Sequence, residues 1–220
     1  MTETMVTTDK VRLSYVHLFK PYAASADQEA KFSVTILLPK SDVATKARID
    51  AAIEAAKQKG ITDKWNGVCP PIVPTPVHDG DGVRPSDGMP FGPECKGCWV
   101  FSATTKADRP VEVVDANLNP IIDQTQIYSG IYARVCVNFF AYYSGGKKGI
   151  GCGLGPVQKL SDGDVLGGGT VTAAQAFGMP QMPQPQAYAQ PQQPQPQAYV
   201  QPQMPVLPGV QINPITGLPM

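Results

Sequence analysis

Between Gln126 and Pro156 the chain spaces aromatic and basic side chains in a way that suits one kind of chemistry. Tyr132, Arg134, Cys136, Asn138, Phe140 and Tyr142 occupy successive even positions, while Ile131, Ala133, Val135, Val137, Phe139, Ala141 and Tyr143 occupy the odd ones. Side chains alternate faces along a strand, so the odd row suits a core and the even row sets rings beside a cation and an amide. Rings give bases a flat surface to stack on, and cations meet phosphates; a single-stranded nucleic acid needs both. Lys147 and Lys148 crown the turn after this strand, Lys10 and Arg12 alternate along the first strand-like segment, and Lys31 opens the second. Trp99, in another strand-like segment, is a further stacking candidate. The alternative is a strand buried on both faces, as in the middle of a sandwich. Arg134 and Asn138 weigh against that, because an unpaired Arg is almost never fully buried. A bulge seated at Gly130 would swap the two faces.

Other chemistries fit less well. Cys95 and Cys98 have the spacing of half a zinc site, and Cys69 with His78 would complete four ligands. A structural zinc site normally shows two close pairs, and this chain has one, so no metal or other cofactor is expected. A redox role is weaker still, since the pair runs into a strand instead of opening a helix. The acids of HDGDGVRPSDG lack the glutamate that closes a calcium loop: counting from Asp79, the twelfth position is Pro90. With only two His and no nucleophile–base signature, the sequence does not read as an enzyme. Gly149, Gly151, Gly153 and Gly155 alternate with Ile150, Cys152, Leu154 and Pro156, which matches neither a dinucleotide nor a phosphate loop. At period two they leave one strand face bare, either for sharp barrel curvature or for close approach of a nucleic-acid backbone.

The elements that must hold these residues alternate clearly. Residues 9–18 read as a strand with Val11, Leu13 and Tyr15 inward against Lys10, Arg12 and Ser14. Residues 31–39 read as another, with Phe32, Val34, Ile36 and Leu38 inward. A helix comes next over 41–60, capped by Ser41 or Asp42, closed by Gly60, with Val43, Ala47, Ile53 and Ala56 on its apolar side. A Pro- and Gly-rich loop then runs from Cys69 to Pro93, the length of a functional loop. Strands from Cys98 and Val111, the aromatic strand and the glycine strand complete the order. It describes a mainly β fold, a small antiparallel barrel with one inserted helix.

All 36 charged residues, 18 basic and 18 acidic, lie at or before Asp164. Beyond it Pro and Gln dominate, and QPQAYAQPQ at Gln184 recurs as QPQAYVQPQ at Gln195. Such a segment cannot bury enough apolar surface to offset its ordering entropy, so a globular domain over 1–169 and a disordered tail over 170–220 are expected. The repeat reads as a spacer or as a multivalent chain of tyrosine stickers. Zero net charge argues mildly against nucleic acid, but local distribution matters more than the sum. No apolar run reaches the length of a membrane span, the polar N-terminus is not a signal peptide, and five Cys, an odd number, suit a reducing cytoplasm.

The segments KVRLSYVHLFKP, FSVTILLPK, PECKGCWVFSAT, VVDANLNPI, YSGIYARVCVNFFAYY and KKGIGCGLGPVQKLSDGDVLGGG, taken in this order, resemble the single-stranded DNA-binding proteins of tailed phages. The resemblance covers roughly residues 8–169 and is most specific in the last two segments. It implies an OB-type barrel that binds single-stranded DNA with little sequence preference in phage replication or recombination, in the cytoplasm of a bacterial host. Many such proteins end in an acidic tip that recruits replication partners, whereas this chain ends in INPITGLPM, without an acid. The competing reading is a virion or assembly protein whose aromatic face is a subunit interface within a homo-oligomer.

Overall fold

The computed structural model describes residues 3–23, 25, 28–166 and 215. Apart from residue 215, the tail expected over 170–220, with its repeat, lies outside the described residues. Within them the order is β1 (Met5–Thr7), β2 (Val11–Tyr22), β3 (Lys31–Pro39), α1 (Val43–Asp63), β4 (His78–Asp79), β5 (Cys98–Lys106), β6 (Val113–Val114), β7 (Tyr132–Ser144) and β8 (Lys147–Ser161). β2 pairs with β3, β3 with β5, β5 with β8, β8 with β7, and β7 returns to β2. Five strands therefore close on themselves, and within that ring only β5–β8 is parallel. This is a barrel of the OB type with α1 inserted between its second and third strands.

The interior reflects the alternation. Val11 and Leu13, Val34, Ile36 and Leu38, Phe101 and Ala103, Val135, Val137 and Phe139, and Ile150 and Cys152 all point inward. At its middle the Phe101 and Phe139 rings meet tilted, 6.5 Å between centroids. Asp42 caps α1 by accepting from the Thr45 N–H at 3.0 Å, which satisfies one of the helix's orphan donors. The buried stripe is Thr45, Ile49, Ala52, Ile53, Ala56 and Gly60, while Val43 and Ala47 of the expected apolar side face solvent. Gly60 does not close the helix either. It sits inside it because a Cβ there would run into Ala141 of β7 and the Trp65 ring. Absence of a side chain lets helix and strand touch.

β2 departs from simple alternation. Its pairing with β3 slips between Ser14 and His17, and Tyr15 adopts φ +48°. A bulge of this kind carries one extra residue and turns the rest of the strand to the other face. Tyr15, expected inward, is 66% exposed, and Ser14, expected outward, is buried. The long loop is tied down on the barrel. Lys40 bridges Asp79 at 2.6 Å and Asp81 at 2.7 Å, and Asp81 also accepts from the Gly97 N–H. This clasp folds the loop over the outer face of β3 and β5, so Leu37 and Val100 are buried at outward positions beside Cys95.

Candidate nucleic-acid interface

β7 keeps its alternation from Ile131 to Phe140, and the bulges in its pairing with β8 fall on β8. Odd positions are buried to Phe139, and at the even ones Arg134, Asn138 and Phe140 are exposed, with Tyr132, Cys136 and Tyr142 half-buried. Gly130 does not swap the faces: it precedes the strand at φ +124° and packs against the Asp164 carbonyl. Tyr143, expected inward, is exposed because the hairpin tip outruns the core.

The alternating glycines explain how the rings lie. Gly153 stands opposite Asn138, Gly151 opposite Phe140 and Gly149 opposite Tyr142. A Cβ on Gly151 would fall 2.7 Å from Phe140 Cζ, and one on Gly149 2.6 Å from the Tyr142 hydroxyl. The rings therefore lie across the neighbouring strand, on backbone that carries no side chains. Such a pairing covers strand glycine with a ring, and it leaves Phe140 46% exposed. The glycine face is neither a mere corner nor a bare trough: it is a bed for rings.

Beside Phe140 a groove of about 440 Å³ runs over Asn138, Gly153 and Gly155 to Lys31, Lys106 and Arg109. Lys31 and Lys106 face each other directly across β3 and β5. Like charges directly opposed are destabilising, and an anion between them relieves this. Among the described residues the charged ends of Lys31, Lys106 and Arg109 have no intramolecular partner. Asn138 Oδ1 accepts from the Thr4 hydroxyl at 2.8 Å, leaving its N–H donors to the groove. On the other side of Phe140 a smaller cleft is lined by Lys59, Asp63 and Lys64 at the end of α1.

The remaining expected residues divide. Arg134 stays on the open face, its Nε donating to the Thr8 carbonyl at 3.3 Å. Lys147 is exposed at the hairpin turn, and Lys148 donates to the Trp65 carbonyl at 3.3 Å. At the opposite end Tyr132 carries Lys10 over its ring at 4.5 Å and Arg12 at 5.7 Å. Arg12 is committed further, donating to the Asp164 carbonyl at 2.7 Å and the Gly130 carbonyl at 3.3 Å. Trp99 is not brought to the ring face: it belongs to the core-facing row of β5 with Phe101 and Ala103, with Lys40 and Lys46 over its ring.

Sequence reasoning missed Lys106, Arg109, Lys59, Lys64 and Tyr15. Lys106 was recoverable only with the β3–β5 register, and Tyr15 only with the bulge. Tyr15 opens a second cleft of about 500 Å³ with Thr35, Ser102, Arg84 and Phe91. Its charge suits an anion less, because Arg84 is paired with Asp87 at 3.0 Å and Glu94 stands in the wall. There His78 is half-buried, and desolvation holds its pKa below the ordinary value.

Two of the five thiols, Cys95 and Cys152, are buried and suit packing. Burial pushes Cys95 up to about 11 and Cys152 to about 12, so neither is a thiolate near neutrality. Among the described residues no three His, Cys, Asp or Glu converge as metal ligands, and no helix is long and apolar enough to cross a membrane.

A family model described as the ssDNA-binding protein of Enterobacter phage Enc34 matches residues 4–188. The single-stranded DNA-binding protein from bacteriophage Enc34, solved in complex with ssDNA, superposes with a TM-score of 0.63 at 28% identity, covering 76% of this chain and 91% of that one. Another structure of that protein gives 0.61 at 28% identity, covering 80% and 91%. gp2.5, a single-stranded DNA-binding protein encoded by bacteriophage T7, shares the fold at a TM-score of 0.51 and 15% identity, over 75% of this chain and 90% of its own. No curated protein sequence matches this chain.

Proposed function

We propose that this chain, which belongs to the ssDNA-binding protein family of Enterobacter phage Enc34, binds single-stranded DNA with little sequence preference along the open face of its barrel. The observation that carries the reading is the groove in which Phe140, laid on Gly151, is flanked by three cations whose charged ends have no partner among the described residues. Bases stack on Phe140 and Tyr142, and phosphates meet Lys31, Lys106 and Arg109 on one side and Lys59, Lys64, Lys147 and Lys148 on the other. Arg134 extends the track toward Tyr132. Stacking supplies roughly 1–3 kcal/mol per base, whereas micromolar affinity needs about 8 kcal/mol. Two rings fall short, so phosphate contacts or cooperativity between neighbouring copies must make up the difference, and affinity drops as salt rises.

The role is binding and not catalysis, in phage DNA replication or recombination within the host cytoplasm, with free thiols in keeping with that compartment. The binding domain takes residues 1–169, and the uncharged residues 170–220 add nothing to phosphate attraction. Replication or recombination proteins and a second copy of the chain are the partners in keeping with this role. The test is a fluorescence anisotropy titration of the full chain with poly-dT and with duplex at two salt concentrations. Preference for poly-dT that weakens with salt is expected; equal binding to both, or to neither, overturns the reading.

A further inference from the structure

Past Tyr142 the row of rings meets a surface of another kind. The chain leaving α1 crosses residues 66–77, where Pro70, Pro71, Pro74 and Pro76 fix much of the backbone. This segment is braced against the β7–β8 hairpin. Trp65, fully buried at its base, donates Nε1–H to the Tyr142 carbonyl at 3.0 Å. The Ile150 N–H donates to the Pro74 carbonyl at 2.9 Å and the Gly67 N–H to the Ile61 carbonyl at 2.8 Å. On this brace Ile72 projects 82% exposed, with Val68 exposed nearby. Between the tip and the hairpin lies a cleft of about 300 Å³ made by Pro70, Ile72, Pro74 and Tyr142, with Lys147 and Lys148 on its rim. No acid lines it.

We propose that this tip is where the single-stranded track meets a duplex. The last base pair of a double helix stacks on Ile72 and the adjoining prolines, and one strand continues past Tyr142 to Phe140. The proposal rests on the reading of the groove as a single-strand track. A duplex offers one flat, weakly polar surface, the face of its end pair, and its sides are phosphate. Ile and Pro are among the residues that DNA-binding proteins press against base steps. Lys147 and Lys148 stand where the flanking phosphates would lie, so shape and charge both match this occupant. A folded protein partner fits less well, since a specific interface needs about 800 Å² per side and the exposed aliphatics here are few. Because the tip is held by hydrogen bonds to the hairpin, its position relative to Tyr142 is set before any DNA arrives.

The test compares anisotropy titrations of the full chain with four probes: a dT strand, the same strand with a hairpin duplex at one end, with it at the other end, and a blunt duplex. One of the two junction probes is expected to bind about 5-fold or more tighter than the strand alone, within what burying an exposed isoleucine side chain is worth. Ile72→Asp, at a site exposed enough to spare the fold, removes that excess and leaves dT binding within about 2-fold; a thermal melt checks the folding. Equal affinity for both junctions and the bare strand overturns the proposal, as does an excess that survives Ile72→Asp but is lost in Lys147→Ala with Lys148→Ala. Failure to bind dT at all is a different result, and it takes the track and the tip down together.

Discussion

The two ends of β7 carry the same ingredients and use them differently. At Tyr132 a ring lies under Lys10 and Arg12, and Arg12 is bonded to two backbone carbonyls. At Phe140 a ring lies near Lys31, Lys106 and Arg109, and among the described residues the charged ends of these three have no partner. A cation held by two backbone carbonyls, as Arg12 is, has less left for a phosphate than Lys148 or Arg134 with one such bond each, and a ring lying under two cations has little left for a base. One end therefore ties the chain after β8 to the barrel, and the other is open to a ligand. Trp99 repeats the lesson of the first end: both lysines over it are paired, Lys40 with Asp79 and Asp81, and Lys46 with Asp50. Ring plus cation is thus no signature of a site until the cation's other contacts are known.

The comparison breaks most directly at Phe140. Phe140→Ala is expected to weaken binding to poly-dT by about 5- to 150-fold, the worth of one stacked base, read by anisotropy, whereas Tyr132→Ala changes affinity by less than about 3-fold, short of one stacked base. Equal losses at the two ends would erase the distinction. Next comes the salt slope. Replacing Lys31, Lys106 and Arg109 together with Ala should flatten log K against log salt by about 2, at about 0.7 per single-strand phosphate contact.

At the closed end the effect moves to stability. Arg12→Ala is expected to cost about 1 kcal/mol in denaturant unfolding, the scale of lost hydrogen bonds to backbone at a partly exposed site, and to leave dT affinity within about 2-fold. The smallest effect is on pH. Hydrogen bonds from the Lys40 ammonium hold the Asp79 and Asp81 carboxyls below their usual range, and those bonds hold Lys40 above its own. Lowered carboxyls contribute stability above the unfolded value of about 3.9 and lose it as pH falls through the lower folded values; the raised lysine loses its share above about 10.4. All three groups are well solvated, so their own share of the melting temperature stays flat between about pH 5 and 9 and dips only slightly outside it. The lowered His78 adds a small loss as pH falls below about 6.5, and the raised Cys95 and Cys152 a loss above about 8.5. A titration followed by circular dichroism, repeated on Asp81→Asn, checks this.

Much of the fold was legible because alternation is a local rule. The inward row from Ile131 to Phe139, the strand from Lys31 to Pro39 and a cap at Ser41 or Asp42 need only neighbours in sequence, and each appears where the pattern puts it, the cap falling on Asp42. Where a single residue changes the phase, as at Tyr15, the pattern fails, because nothing in LSYVHL marks a bulge. The helix stripe departs from its expected place at Val43 and Ala47 for a related reason: the core presses on the helix from a direction that the helix's own spacing does not state.

The candidate site divides along the same line. That an aromatic row and a glycine row existed was set by the chain alone, through period-two spacing. That Phe140 rests on Gly151, that Lys31 faces Lys106, and that the Arg12 and Lys40 charges are already engaged was decided only in three dimensions. These facts depend on register between strands far apart in sequence, and register is fixed by which side chains fill the barrel together.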